Sequence, residues 1–180
     1  ITVSGTIESS QNAIYFYGAG TQSIPISVSE TGTLRGAIRG VELFGDFGST
    51  TTMPTFLNAG YIGTSNNFGG GVSFEYDKRI ASFTNASTGV IEAKPVPNGV
   101  AVSGVGMSEG RSSITTFTNE GIIRASDGGD GIELGGTSDI GTMTNAVGGV
   151  IESINQGAGI YVNSMITTLN NRGTMSGAVA

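Results

Sequence analysis

Short alternating apolar segments recur along the chain and are separated by turns rich in Gly and Asn. One motif repeats: an apolar residue, any residue, Asn, one or three residues, Gly, any residue and a closing apolar residue. It occurs at residues 56–62, 83–91, 117–123, 143–151 and 169–175. Residues 28–34 carry Glu30 where Asn is expected, and residues 3–7 form a truncated first copy. Alternation bounded by turn residues predicts β-strands.

A second motif follows each copy and consists of Gly, an apolar residue, any residue and an apolar residue. It reads Gly131-Ile132-Glu133-Leu134 in a late copy, and its other copies begin at Gly40, Gly71, Gly99 and Gly159, with residues 13–16 as a degenerate first member. A further apolar position lies three residues ahead of each Asn motif, at Met53, Ile80, Ile114, Ile140 and Ile166. Each repeat therefore contains three short predicted strands.

The closing apolar residues of the Asn motif set the length of the repeat. They are spaced 24 to 32 residues apart, at Ile7, Leu34, Ile62, Ile91, Ile123, Ile151 and Met175. An imperfect period fits a stack in which strands stay aligned while insertions fall in loops. We predict an all-β, three-faced parallel β-helix of about six to seven coils, with residues 1–180 as one domain. A leucine-rich repeat has an overlapping period, but it requires several leucines ahead of its Asn.

Stacking places equivalent residues in columns, and the Asn column is the most regular polar one. It contains Asn58, Asn85, Asn119, Asn145 and Asn171, headed by Glu30. We interpret it as a structural turn ladder and not as a binding track. Asn tolerates the left-handed backbone of a sharp turn, and its amide can bond to the same amide one coil further on. Glu30 would break the ladder, so we expect it near a cap or a loop.

The residue after each closing apolar position forms a second column, in which charges of opposite sign adjoin. It reads Glu8, Arg35, Gly63, Glu92, Arg124, Glu152 and Ser176. Opposite charges on neighbouring strands stabilise a sheet slightly and like charges destabilise it. We therefore interpret this column as solvent-facing register control and not as a catalytic acid cluster.

Composition argues against several classes of function. The net charge is −6 and the 8 basic residues are scattered, so no patch is available to neutralise nucleic-acid phosphates. No stretch approaches the roughly 20 apolar residues of a membrane-spanning helix, and we expect no membrane insertion by this segment. The chain contains no Cys and no His, which removes disulfides, thiolate metal sites and the commonest general base.

Two local clusters suggest chemistry, and both are better explained as solvated turns. Asp127 and Asp130 resemble a calcium loop, but their Gly-rich run occurs once and lacks the Glu spacing of an EF-hand. The other cluster suggests a polysaccharide lyase, and it comprises Glu75, Asp77, Lys78 and Arg79. Its charges alternate in sign within a predicted turn, so we predict no catalytic, cofactor or metal site.

Aromatic residues concentrate in the first half of the chain, and several fall outside the predicted core columns, Tyr61 among them. Exposed aromatic side chains are typical of sugar and protein contacts. The alternative is that they pack under longer loops as satellite clusters. Six of them are possible partner contacts: Tyr15, Tyr17, Phe44, Phe47, Phe68 and Tyr76.

The run Ile114-Thr115-Thr116-Phe117-Thr118-Asn119-Glu120-Gly121-Ile122-Ile123, the run Gly159-Ile160-Tyr161-Val162 and residues 166–177 carry a family signature. They resemble the passenger-domain repeats of bacterial autotransporters, secreted by the type V route, and the likeness covers nearly the whole chain. The resemblance implies a right-handed parallel β-helix, displayed at the outer membrane through a region outside this chain or released there. Enzymatic members carry their chemistry in an inserted domain, and this sequence contains no such insertion. Since the chain begins at Ile1, we expect a segment of a longer passenger.

Three functions follow as hypotheses. The first is a non-catalytic extracellular stalk or adhesin segment that binds a protein or glycan on a host or neighbouring cell. The second is a subunit that stacks end to end with further copies of itself, because the open ends of a β-helix leave strand groups unpaired. The third and weakest is a polysaccharide-processing enzyme.

Overall fold

The structure is a computed structural model that describes residues 1–17, 24–44, 51–64, 70–94, 103–107, 110–126 and 128–177. These residues form twenty β-strands, β1 to β20 in chain order, and no helix. The strands lie in three parallel sheets of seven, seven and six strands, so the predicted all-β, three-faced parallel solenoid is confirmed. The handedness of its winding and the number of its coils stay predictions. None of the described residues belongs to a helix that could span a membrane.

Each sheet takes every third strand of the chain. Sheet A contains β1 (Thr2–Val3), β4 (Ile26–Val28), β7 (Thr51–Asn58), β10 (Lys78–Asn85), β13 (Ser113–Asn119), β16 (Asp139–Asn145) and β19 (Met165–Asn171). Sheet B contains β2 (Thr6–Ser9), β5 (Thr33–Gly36), β8 (Tyr61–Thr64), β11 (Val90–Ala93), β14 (Ile122–Ser126), β17 (Val150–Ile154) and β20 (Thr174–Ser176). Sheet C contains β3 (Asn12–Tyr17), β6 (Arg39–Phe44), β9 (Val72–Phe74), β12 (Val105–Met107), β15 (Ile132–Leu134) and β18 (Ile160–Val162).

Side chains that point into the solenoid form apolar columns along its axis. In sheet A, Phe56, Phe83 and Phe117 stack with successive ring centroids 4.7 Å apart. Phe74 of sheet C meets Phe56 and Phe83 edge-on, at 6.0 and 5.9 Å. All four rings are fully buried, and each such burial stabilises the fold by roughly 1.5–3 kcal/mol. Because these contacts join neighbouring coils, the stack and not the single coil is the folding unit.

The register confirms most of the predicted columns. The closing apolar residues align from Ile7 to Met175, and the five ladder asparagines align from Asn58 to Asn171. The apolar position ahead of the Asn motif also aligns, from Met53 to Ile166.

Two predicted positions are wrong. Val28, and not Glu30, lies opposite Asn58 at the head of the Asn column, because the motif of this coil begins at Ile26 opposite Phe56. Glu30 is exposed in the turn that follows. The Gly-led motif at β12 is Gly104-Val105-Gly106-Met107, since Val105 pairs with Val72 of β9 and Ile132 of β15. The predicted copy at residues 99–102 lies outside the described residues.

The turn between sheets A and B alternates strictly in length. We call the column of Val3, Val28 and the five asparagines the ladder position. From this position to the closing apolar residue the chain advances four residues at Val3, six at Val28, four at Asn58 and six at Asn85, and the alternation continues to Asn171. Where a long turn precedes a short one, the Gly of the short turn packs against that long turn. A Cβ on Gly121 would lie 2.2 Å from the carbonyl oxygen of Gly89, and one on Gly173 would lie 2.2 Å from that of Gly149. Long and short turns therefore interlock along this edge.

Candidate functional site

Four aromatic side chains gather on the outer surface of sheet C. The Phe44 ring stacks on Tyr15 and Tyr17, with centroids 6.4 and 6.0 Å apart and ring planes 29° and 22° apart. Tyr76 meets Phe44 edge-on, with centroids 5.0 Å apart. Tyr15 and Tyr17 remain 54% and 51% exposed. We call this group, Tyr15, Tyr17, Phe44 and Tyr76, the aromatic patch.

Strand alternation and register bring the aromatic patch together. On β3, Ile14 and Phe16 pack against the core, so Tyr15 and Tyr17 between and after them point outward. Tyr17 aligns with Phe44 of β6. Of the six predicted contact residues, the structure thus unites four, while Phe47 and Phe68 lie outside the described residues.

Tyr76 joins the aromatic patch from a tight turn after β9. Tyr76 and Asp77 both have φ of +56°, the left-handed region that costs a non-Gly residue roughly 1–2 kcal/mol. The interpretation of residues 75–79 as one solvated loop is therefore wrong. Only Tyr76 and Asp77 form the turn, Glu75 is buried, and Lys78 is buried as the first residue of β10.

Beside the aromatic patch, one guanidinium holds two buried carboxylates. Arg39 is ion-paired with Glu42, and its Nη2 lies 2.9 Å from Oε1 of Glu75. Asn12 donates to Glu42, and Ser73 donates to Glu75 at 3.0 Å. Burial raises the pKa of Glu42 and the Glu75 charge adds to the rise, while Arg39 and Asn12 oppose it. These polar groups crosslink β3, β6 and the end of β9, and Glu42 and Ser73 continue the outward column of Tyr15.

The charged column of sheet B is less exposed than predicted. Glu92 is only 12% exposed at its side chain, and Arg124 and Lys94 lie 2.9 and 3.2 Å from its carboxylate. The Tyr61 hydroxyl donates to the same carboxylate at 2.8 Å. The description of this column as solvent-facing is therefore wrong at Glu92. The predicted pairing of opposite charges is present at Arg35–Glu8, 2.8 Å, and at Arg124–Glu92.

Position 63 of this column is a Gly because the Tyr61 side chain occupies the space that a side chain at position 63 would need. A Cβ on Gly63 would lie 2.3 Å from the Tyr61 hydroxyl oxygen. The Arg35 guanidinium lies over the Tyr61 ring, 5.4 Å from the ring centroid. The link from Arg35 through Tyr61 to Glu92 was missed from the sequence. Its one sequence signal is a Gly between the charged residues Arg35 and Glu92 of the column, two residues after a Tyr.

The asparagine ladder is a continuous chain of amides, fully buried from Asn58 to Asn145 and exposed only at its last member, Asn171. Each Nδ2 donates to the Oδ1 of the next Asn, at 2.9 Å from Asn58 to Asn85, 2.9 Å to Asn119, 2.8 Å to Asn145 and 2.9 Å to Asn171. One of the two predicted reasons for Asn is wrong: among the described non-Gly residues only Tyr76, Asp77 and Asn155 have positive φ. The amide bonds alone account for the column.

The candidate calcium loop is only partly described. Asp127 lies outside the described residues, and Oδ1 of Asp130 accepts the backbone N–H of Ala158 at 2.7 Å. Burial raises the pKa of Asp130, and the Ala158 bond partly opposes the rise. Within the described ranges, no group of three or more acidic side chains is placed to hold a metal ion.

The fold and its columns define a three-faced parallel β-solenoid. Comparison with protein-family models, curated proteins and solved structures finds no match. The likeness to autotransporter passengers thus remains a resemblance carried by the motifs.

Proposed function

We propose that this chain is a non-catalytic β-solenoid stalk or adhesin segment, and that the aromatic patch is its contact surface for a protein or glycan on another cell. The observation that carries the proposal is the convergence of Tyr15, Tyr17, Phe44 and Tyr76 on one outer surface. A folded chain normally buries large aromatic rings, and exposed rings next to polar groups are typical of binding surfaces. The rigid strands below hold the rings in place without a ligand.

This proposal places the chain outside the cell or on the bacterial surface, as in the passengers it resembles. A binding surface built on three neighbouring strands keeps its shape when the loops around it vary. The buried Glu42–Arg39–Glu75 group fixes those strands against one another. In this reading the carboxylates support the rings and carry no chemistry.

The test uses the double variant Tyr15→Ser/Tyr17→Ser and the matched control Tyr161→Ser. Tyr161 is 48% exposed and occupies the same outward column as Tyr15, at the other end of sheet C. Binding of labelled protein to a glycan array and to epithelial and bacterial cells is compared. We expect the double variant to lose about tenfold or more in affinity, as for residues that dominate an interface, and the control to bind like the unaltered chain. Equal binding by all three proteins would discount the patch.

The polysaccharide-processing alternative depends on the same face, because two carboxylates lie beside exposed rings. Release of reducing ends from acidic and neutral polysaccharides, measured for the chain and for Glu42→Gln, separates it from adhesion. Cleavage that is lost in Glu42→Gln would replace the adhesin proposal with an enzymatic one.

A further inference from the structure

The side wall of the solenoid carries a groove on the outer surface of sheet A. Its volume is about 530 Å³, within the range of roughly 300–1,000 Å³ that ligand sites occupy. The lining residues come from β10, β13, β16 and β19 and from the turns just before β13 and β16. Neighbouring strands of a sheet are about 4.8 Å apart, so the groove extends roughly 14 Å along the solenoid axis. It therefore suits a linear ligand.

Two guanidinium groups of this groove have no carboxylate partner. Arg79 and Arg111 are exposed and line the same groove. Neither lies within ion-pair distance of an acidic side chain in the part of the chain that the structure describes, whereas a carboxylate accompanies each of four other cations: Arg35, Arg39, Lys94 and Arg124. In a chain of net charge −6 the groove is thus a local positive site. Guanidinium groups bind carboxylates with two parallel hydrogen bonds.

Hydrogen bonds fix the backbone on both sides of Arg111. The carbonyl oxygen of Gly110 accepts from the N–H of Thr137 at 3.2 Å and from its Oγ1 at 3.0 Å. The carbonyl oxygen of Ser112 accepts from the N–H of Asp139 at 2.9 Å. A binding residue on a fixed backbone loses less conformational freedom when a ligand arrives.

The remaining polar groups of the groove specify the chemistry of its ligand. Arg79, Ser113 and Asp139 follow one another in one column, which places the backbones of the two charged residues roughly 10 Å apart. Four hydroxyl side chains complete the polar lining: Ser113, Thr115, Thr137 and Thr167. None of the described lining residues is aromatic, although aromatic side chains are enriched in protein interfaces. The lining therefore favours a hydroxyl-rich ligand over a protein.

We infer that this groove binds a linear anionic glycan in which carboxylated sugars alternate with neutral ones. Arg79 and Arg111 bind the carboxylate, and the Ser and Thr hydroxyls bond to the neutral sugar beside Asp139. A uniformly charged polyanion fits less well, because one of its charges would face the Asp139 carboxylate. This site lies on a different sheet from the aromatic patch and does not depend on it.

The test follows the Nε–Hε signals of the arginines by nuclear magnetic resonance in the isotope-labelled full chain. The probes are a hyaluronan octasaccharide, in which glucuronate alternates with a neutral sugar, a neutral N-acetylglucosamine oligosaccharide, a heparin octasaccharide and a polyglutamate peptide. We expect hyaluronan to shift the signals of Arg79 and Arg111 and the neutral glycan to leave them unchanged. Arg172, which is exposed and outside the groove, is the internal control. Heparin and polyglutamate should bind at least about threefold more weakly than hyaluronan, because of Asp139.

Variants locate the site. Arg79→Gln and Arg111→Gln should each lower the affinity for hyaluronan about tenfold, the effect of losing hydrogen bonds to a charged group. Arg172→Gln and Tyr15→Ser/Tyr17→Ser should bind hyaluronan like the unaltered chain. Asp139→Asn should remove the preference for hyaluronan over heparin, since the repelling carboxylate is gone.

Four outcomes would overturn the inference. They are no shift of the Arg79 and Arg111 signals at millimolar hyaluronan, unchanged affinity in both arginine variants, tighter binding of heparin, and tighter binding of polyglutamate. The last two would make the occupant a sulfated glycan or an acidic protein segment. Loss of hyaluronan binding in Tyr15→Ser/Tyr17→Ser with normal binding in the arginine variants would assign the glycan to the aromatic patch. The failure of this inference is thus distinct from the failure of the adhesin proposal.

Discussion

At the scale of single residues, Glu92 shows how a mostly buried carboxylate is kept charged by its neighbours. Burial acts to raise the pKa of Glu92, but hydrogen bonds from Tyr61 and Lys94 and the charges of Arg124 and Lys94 together hold it below the ordinary value of 4.5. A carboxyl with a depressed pKa stabilises the fold above its ordinary pKa. That contribution is lost as the pH falls through the lower, folded-state pKa. Glu92 therefore stabilises the solenoid at neutral pH through its partners.

Replacing Arg124 by Glu should remove this balance. Three carboxylates would then adjoin in one column, since Arg124 aligns with Glu92 on one side and Glu152 on the other. We expect the free energy of unfolding in urea to fall by roughly 2 kcal/mol, between the values for exposed and buried ion pairs. The control variant is Arg35→Glu, because the neighbours of Arg35 in the column are the exposed Glu8 and Gly63. Its free energy of unfolding should fall by less than that of Arg124→Glu. Equal stability of Arg124→Glu and the unaltered chain would refute register control by this column.

Tyr61 gives the corresponding prediction at alkaline pH. Burial, the hydrogen bond to Glu92 and the Glu92 charge raise the pKa of Tyr61 to about 12, against a smaller opposing effect of Arg35. A raised pKa stabilises the fold below the ordinary value of 10.0, and this stabilisation is lost as the pH rises from 10.0 towards about 12. The Tm of the unaltered chain should thus fall more steeply over that range than the Tm of Tyr61→Phe. If the Tm of the two proteins fell equally between pH 10.0 and about 12, the raised pKa of Tyr61 would be contradicted.

At the scale of elements, the interlocked turns make one glycine far more sensitive than another. Gly121 and Gly5 occupy the same place in a short turn, but only Gly121 has a long turn before it. A Cβ on Gly121 would lie 2.2 and 2.3 Å from two carbonyl oxygens, whereas one on Gly5 meets nothing within 4 Å. We expect Gly121→Ala to destabilise the chain by about 3 kcal/mol, as overpacking does, and Gly5→Ala to change the urea midpoint little. Similar losses for both would show that the turns do not interlock.

The elements also show where the sequence was informative. Apolar alternation at a near-constant period predicted the three strands of each coil, because every inward position must match the coils on both sides. The sequence analysis predicts the copy at Gly99, whereas the structure uses the copy at Gly104, and both runs fit the same local pattern. Only pairing of Val105 with Val72 and Ile132 distinguishes them. Likewise, composition pointed to Tyr15, Tyr17, Phe44 and Tyr76, but their mutual contact depends on the register of β3 and β6 and on the left-handed turn at Tyr76.

At the scale of the whole molecule, the solenoid is a one-dimensional stack in which each coil contacts its neighbours. Stability in such a stack is a sum of coil terms and interface terms. The asparagine ladder and the phenylalanine stack both lie in these interfaces, since each amide or ring meets its equivalent in the next coil. The effect of a substitution should consequently depend on the position of its coil in the stack.

Asn119→Leu and Asn171→Leu test this dependence with the same chemical change. Asn119 is fully buried, and its loss deprives the Asn85 amide of its acceptor and the Asn145 oxygen of its donor, whereas Asn171 is exposed and contacts a ladder amide on one side only. We expect Asn119→Leu to cost roughly 3 kcal/mol and Asn171→Leu about 1 kcal/mol, because buried polar groups left without partners carry most of the cost. Hydrogen exchange followed by mass spectrometry should show faster exchange on both sides of β13 in the first variant. In the second, faster exchange should be confined to β18, β19 and β20, because a terminal coil can open while the rest of the stack stays closed. Uniformly faster exchange in both variants would instead show that the solenoid opens as a single cooperative unit.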